Sequence, residues 1–156
     1  MLLEARLPDK ILAHGWILRE GGKMSKSKGN IIDPFELLKK YPVDLLRTYF
    51  IAKINFLQDG VAEENLLSGF YQDFFVNNLS NLVSRVNKML HLYNKGVIPK
   101  LKEEIKDDKL LEYKKKCNLV VEEFQKKMDQ YQLTNAFSQI QALLNESNKL
   151  ISDLAP

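Results

Sequence analysis

The chain has 156 residues, 45% of them hydrophobic, enough for one ordinary domain or two small ones with a packed core. Its formal charge of +3 permits a nucleic-acid partner without demonstrating one, and one cysteine with two histidines excludes an intrachain disulfide and any Cys/His zinc cluster within the chain. No apolar run reaches the roughly 18 residues a membrane span needs, and Glu4 and Asp9 stand where a signal peptide would be apolar, so the expected location is a reducing cytoplasm with no membrane partner.

Residues 10–18 (KILAHGWIL) are apolar and β-prone, lie between Pro8 and the Gly21-Gly22 turn, and predict a buried strand. Next comes Gly22-Lys23-Met24-Ser25-Lys26-Ser27-Lys28-Gly29-Asn30, and a second short strand is expected at 30–32. Asp33-Pro34-Phe35-Glu36 carries a helix start: Asp33 as N-cap, Pro34 in the first turn, and Glu36 able to close a capping box. That helix should run from 34 to about 40, where Tyr41-Pro42 breaks it. A second should follow to about 53, with Val43, Leu46, Phe50 and Ile54 at helical spacing. Asp59-Gly60 marks a turn and a candidate boundary.

From residue 63 the pattern changes to long amphipathic helices. In the first, Leu66, Phe70, Phe74, Leu79, Leu82, Val86 and Met89 form a stripe that ends near Asn94-Lys95-Gly96. The second spans about 108–131 through Leu110, Tyr113, Cys117, Val120, Phe124, Met128 and Tyr131. The third spans about 133–154 through Phe137, Ile140, Leu144, Ser147, Ile151 and Leu154. None of the three can hide its stripe alone, which predicts an antiparallel bundle. The expected fold is mainly α: a short β segment bearing the lysine loop, two short helices, then the bundle.

The loop is the most specific signal. Its three lysines within six residues, interleaved with serines and flanked by glycines, suit a cationic loop able to close over a polyphosphate. It is not a P-loop, because G-x-x-x-x-G-K-[ST] is absent. On composition alone it reads equally well as an exposed hairpin tip. His14 reads as a hydrogen-bonded structural histidine, His91 as a cation favoured by a helix end, and Cys117 as core. Asn77, Asn78, Asn81 and Arg85 occupy successive turns of one helix, with Asn81 and Arg85 one i to i+4 step apart. Amide and guanidinium groups so placed can bond and stack on unpaired bases, though a solvated face is the simpler account from spacing alone.

With these segments read, the chain resembles the methionyl-tRNA synthetases, a family of class I aminoacyl-tRNA synthetases, over nearly its whole length. The resemblance rests on Leu7-Pro8, His14-Gly15-Trp16, Lys23-Met24-Ser25-Lys26-Ser27 followed by Lys28-Gly29-Asn30, Asp33-Pro34, Val43-Asp44-Leu45-Leu46-Arg47, Gln58-Asp59-Gly60 and Asn81-Leu82-Val83-Ser84-Arg85. The lysine signature identifies the class, and the last two segments point to the methionine enzyme. The resemblance implies methionine-tRNA ligase chemistry: ATP-dependent formation of methionyl-adenylate, then transfer to tRNA(Met). It implies that residues 1–32 end a catalytic domain, that 33–62 form a stem-contact region, and that 63–156 form the anticodon-binding bundle. Lys23 and Lys26 would be catalytic, stabilising the triphosphate as pyrophosphate leaves, with Met24, Ser25 and Ser27 completing an ATP-binding loop and Mg²⁺ sharing the charge. Asn81 and Arg85 would read the anticodon stem-loop.

Three departures qualify this. The family's His-Ile-Gly-His motif, its methionine pocket and its zinc-bearing insertion are absent, and Leu57 and Leu150 stand where the family usually has glycine and often has an aromatic. Leu154-Ala155-Pro156 is similar to the segment before a tryptophan that stacks on the anticodon. The expectation is therefore a C-terminal piece, inactive alone, that works with an N-terminal catalytic domain. The competing expectations are a noncatalytic tRNA-binding or assembly module derived from a synthetase, or a class I synthetase for valine, isoleucine, leucine or cysteine.

Overall fold

The computed structural model describes residues 6–19, 22–25, 27, 29–100 and 106–154. Three short strands form a sheet in the order β2-β1-β3, with β1 at Ile17–Arg19, β2 at Gly22–Lys23 and β3 at Gly60–Val61. The β1–β2 pair is an antiparallel hairpin with Leu18 opposite Lys23 and Arg19 opposite Gly22. β3 lies parallel to β1, Ile17 opposite Gly60 and Leu18 opposite Val61. A parallel neighbour needs a crossover, and the two short helices provide it.

The expected strand over 10–18 is much shorter than its composition suggested. Only Ile17–Arg19 is strand, and the side chains before it face solvent, with Ile11 87% exposed. A strand persists only where a neighbour takes its N–H and C=O groups, and β2 and β3 reach no further along the chain. The strand expected at 30–32 is absent too; Ile32 instead packs its side chain against the core.

Helix α1 (Pro34–Lys40) begins as its sequence dictates, with Asp33 Oδ1 accepting from Phe35 N at 2.8 Å. Glu36 takes the Lys39 ammonium at 2.6 Å rather than closing a capping box. At the helix end Lys40 reaches Glu64 at 2.8 Å, and this hydrogen bond to a carboxylate raises the lysine pKa. Helix α2 (Val43–Lys53) starts after Pro42. Its inner face is Leu45, Leu46 and Tyr49, with Phe50 and Ile54 packed against the core beside them; of the expected stripe only Val43 is exposed.

The next helix is long but not uniform. It runs as α3 (Glu64–Phe70), winds as a π-helix over Tyr71–Ser80, and resumes as α4 (Asn81–Asn94). Its buried face is Leu67, Phe70 and Phe74, one helical stripe, while Leu66 is exposed. α4 ends where Lys95 and Gly96 take positive φ values of 52° and 78°, Gly96 N bonding Leu90 O at 2.9 Å. Helix α5 (Asp108–Asp129) is capped by Asp107, which accepts from Leu110 N at 3.1 Å, and α6 (Leu133–Leu154) follows a tight turn with Tyr131 at φ 59°.

α6 lies between the α4 helix and α5. Contacts climb together along the first pair, from Phe74–Phe137 through Asn78–Asn145 to Arg85–Ser152, so the first and third long helices run parallel, while α5 runs antiparallel to α6 on its other side, Tyr113 meeting Ser147 and Lys116 meeting Glu146. This is the up-down-up bundle that three single-striped helices predict. The core gathers Leu45, Leu46 and Tyr49 of α2, Leu67, Phe70, Phe74, Ala62 and Phe137. Phe74 lies 4.9 Å from Phe137 and 5.5 Å from Phe70, while Tyr49 meets Phe70 edge-on at 5.8 Å. Thr134 Oγ1, within reach of the carbonyls of Ile51 (3.1 Å) and Ile54 (3.3 Å), ties the start of α6 to the end of α2.

Candidate functional site

The lysine loop is presented by a rigid mount. Gly15 N bonds Phe56 O at 3.2 Å, Trp16 N donates to Asp59 Oδ1 at 2.7 Å, and Gly60 N donates to Trp16 O at 2.9 Å. The His-Gly-Trp and Gln-Asp-Gly segments are thereby one structural unit. Gly60 also lets β3 pass against the Ile54 side chain, since a Cβ there would sit 2.5 Å from Ile54 Cγ2. His14 Nδ1 donates to Gly15 O at 2.7 Å, and its ring meets Phe56 edge-on at 6.0 Å, a structural role.

Within the loop, Asn30 fastens the two sides. Its Oδ1 accepts from Ser25 N at 2.8 Å and its Nδ2 donates to Lys23 O at 3.5 Å. Met24 turns inward, its sulfur accepting from Ile32 N at 3.4 Å, and the Ser25 and Ser27 hydroxyls bond each other at 2.8 Å. Gly22 at φ 101° and Gly29 at φ 64° supply left-handed turns at either end. Lys23, on β2, places its Nζ 3.8 Å from the centre of the Trp16 ring. Lys26 and Lys28 lie outside the described residues. The loop therefore gathers a cation, two hydroxyls and turned backbone, a set that can bind an anion.

A second site lies on the bundle. Asn81 and Arg85 line a shallow groove of about 500 Å³ together with Asn77 and Asn78. Its other wall comes from α6, through Asn145, Asn148 and Ser152. Arg85 Nη1 donates to Asn148 O at 3.2 Å and Nη2 to Ser152 Oγ at 3.0 Å, leaving other guanidinium donors for a ligand. Asn148 Nδ2 donates to Asn78 Oδ1 at 2.9 Å, and Asn78 Nδ2 to Asn145 Oδ1 at 2.5 Å. Asn148 Oδ1 is a buried acceptor without a partner. Sequence reasoning named Asn77, Asn78, Asn81 and Arg85 but not the α6 wall. A signal for it existed, since Asn145, Asn148 and Ser152 recur at three- and four-residue steps on one helix face.

Among the described residues, no group of three or more His, Cys, Asp or Glu could hold a metal ion, and no helix is long and apolar enough to cross a membrane.

The family model described as tRNA synthetases class I (M) matches residues 1–87. A methionine–tRNA ligase of Caldanaerobacter subterraneus subsp. tengcongensis is 40% identical over 158 aligned residues, covering 100% of this chain and 24% of that protein. One of Listeria innocua is 37% identical over 159, covering 100% and 23%. The Mycobacterium tuberculosis methionyl-tRNA synthetase in complex with methionyl-adenylate superposes with a TM-score of 0.85 at 29% identity, covering 94% of this chain and 28% of that one. The chain thus spans about a quarter of the length of the proteins it matches.

Proposed function

Since this chain belongs to the family of tRNA synthetases class I (M), we propose that it supplies the ATP-clamping loop and the anticodon-reading groove of a methionine-tRNA ligase. Residues 1–32 would complete the nucleotide site, 33–62 would contact the tRNA stem, and 63–156 would read the anticodon. Lys23 and Lys26 would stabilise the triphosphate of ATP as the methionine carboxylate attacks the α-phosphate and pyrophosphate departs. Such transfers are accelerated by positioning and by cations placed where negative charge develops. Met24 anchors the loop from inside, Ser25 and Ser27 brace it, and Asn30 holds its two sides together. The loop offers ammonium and hydroxyl groups rather than metal ligands, so Mg²⁺ would be carried to it by the nucleotide phosphates.

The observation that carries the reading is the groove. Asn81 and Arg85 are brought against a second polar wall from α6, giving an open, amide-rich, cationic surface suited to splayed bases rather than to a small apolar ligand. The test is binding of a stem-loop with a CAU anticodon to the chain and to Arg85→Ala. The substitution should cost roughly 1–3 kcal/mol, the usual range for a base-specific contact, and spare the weak binding of a scrambled loop. A loss equal for both RNAs would reduce Arg85 to a phosphate contact and remove the anticodon reading.

A further inference from the structure

We propose that Trp16 is a positioning residue for Lys23, its indole face holding the ammonium in place with the outward N–H groups turned toward an incoming phosphate. This rests on the reading of the loop as a phosphate clamp and adds to it a residue outside the lysine signature. The geometry follows from the hairpin register. Lys23 stands opposite Leu18, so the two share a face of the sheet, and Trp16 is two residues back on that same face, a diagonal that a long side chain spans. The Nζ lies 3.8 Å from the ring centre, well within the distance at which a cation is drawn to an indole face.

The two partners differ in rigidity, and that gives the contact its use. The Trp16 main chain is fixed, its backbone N–H held by Asp59 and its carbonyl by Gly60, and its side chain has only two rotatable bonds. Lys23 sits on a flexible four-carbon stem next to left-handed glycine turns, and by itself would sample many rotamers. The ring removes most of that freedom before any ligand arrives. It attracts the ammonium from one side only and accepts no strong hydrogen bond, so the donors on the opposite side keep their capacity for phosphate oxygens. A carboxylate partner would instead have competed with the phosphate for the same charge.

Trp16 is the sole tryptophan of the chain and 60% exposed, so its emission reports the contact and its replacement leaves the core untouched. The full chain is compared with Lys23→Met, Trp16→Phe, Trp16→Leu and the Trp16→Leu/Lys23→Met double variant. Without ligand, Lys23→Met should change the Trp16 emission; identical spectra would overturn the contact itself. Pyrophosphate binding is then followed by ³¹P nuclear magnetic resonance. Trp16→Leu should weaken it by about 2- to 5-fold, the value of an exposed cation–π pair, while Trp16→Phe, which keeps an aromatic face, should retain most of it. In the Lys23→Met background the Trp16→Leu change should have no further effect. Equal affinity of Trp16→Leu and the parent chain, or the same loss with and without Lys23, would overturn the proposal. If Lys23→Met alters the emission but leaves pyrophosphate affinity unchanged, the phosphate reading of the loop fails and the positioning role falls with it, although the contact stands.

Discussion

Gly15 has no room for a side chain: a Cβ there would lie 2.2 Å from the carbonyl carbon and oxygen of Gln58. This close approach lets the turn at Gln58-Asp59-Gly60 reach the main chain at Trp16, where Asp59 and Gly60 bond its N–H and C=O. Two segments more than forty residues apart in sequence thus meet at one joint, since Trp16 and Asp59 are 43 positions apart.

The joint predicts the behaviour of Gly15→Ala. The added methyl meets backbone rather than a yielding side chain, so β3 must move away from β1. The expected cost is about 1–3 kcal/mol, as for overpacked sites. Thermal unfolding should fall accordingly, and the Trp16 emission anisotropy should drop as its mount loosens. An unchanged melting temperature with unchanged anisotropy would show that the joint is softer than the geometry implies.

The helices were legible because their ends carry local chemistry. Asp33 caps, Pro34 and Pro42 start, and Lys95-Gly96 stops, all within a few residues of the helix ends they set. The sheet was legible only in part: a β segment ahead of the lysine loop was expected, and β1 lies at its end, but its extent and its partner β3 were not. β3 is two residues long, too short for any periodicity, and β1 exists only where β2 and β3 flank it. The π-helix at Tyr71–Ser80 left no mark in composition, and of the adjacent Leu66 and Leu67 it is Leu67 that is buried. The two sites divide in the same way. Asn81 and Arg85 were visible through i to i+4 spacing on one helix, whereas their partners Asn148 and Ser152 depend on how α6 lies against that helix. The Trp16–Lys23 contact depends on hairpin register, which the residues around the turn do not specify on their own.

Tyr49 predicts an alkaline limit to stability. Burial raises its pKa above the ordinary value of 10.0, Glu63 adding to the shift, while its hydroxyl donates to Val61 O at 3.2 Å. A raised folded-state pKa means that the neutral phenol is favoured by folding. Its contribution is therefore fully present below about pH 10 and is lost as the pH rises through the higher folded-state value. At neutral pH, Tyr49→Phe should cost about 1 kcal/mol for the lost hydrogen bond. Above pH 10 the gap between the two chains should narrow, because phenylalanine cannot ionise. Urea unfolding at pH 7 and pH 10.5 tests this, and a gap that widens with pH would contradict the assignment.

Ser152 separates how Arg85 is held from what it does. Its Oγ accepts from Arg85 Nη2 at 3.0 Å and itself donates to Asn148 O, the same carbonyl that accepts from Arg85 Nη1. Ser152→Ala removes one of two restraints on the guanidinium and leaves the carbonyl restraint in place. The site is exposed, so both the freed Nη2 and the carbonyl can turn to water, and stability should change by less than about 0.5 kcal/mol. Arg85, now freer, would have to be ordered again on contact with RNA, and affinity for the CAU stem-loop should fall by about 2- to 5-fold, less than for Arg85→Ala. Calorimetry and stem-loop titration on the same preparation measure both quantities. Affinity equal to that of the parent chain would mean that the Asn148 carbonyl alone orients Arg85. A loss as large as that of Arg85→Ala would mean that Ser152 itself contacts the RNA.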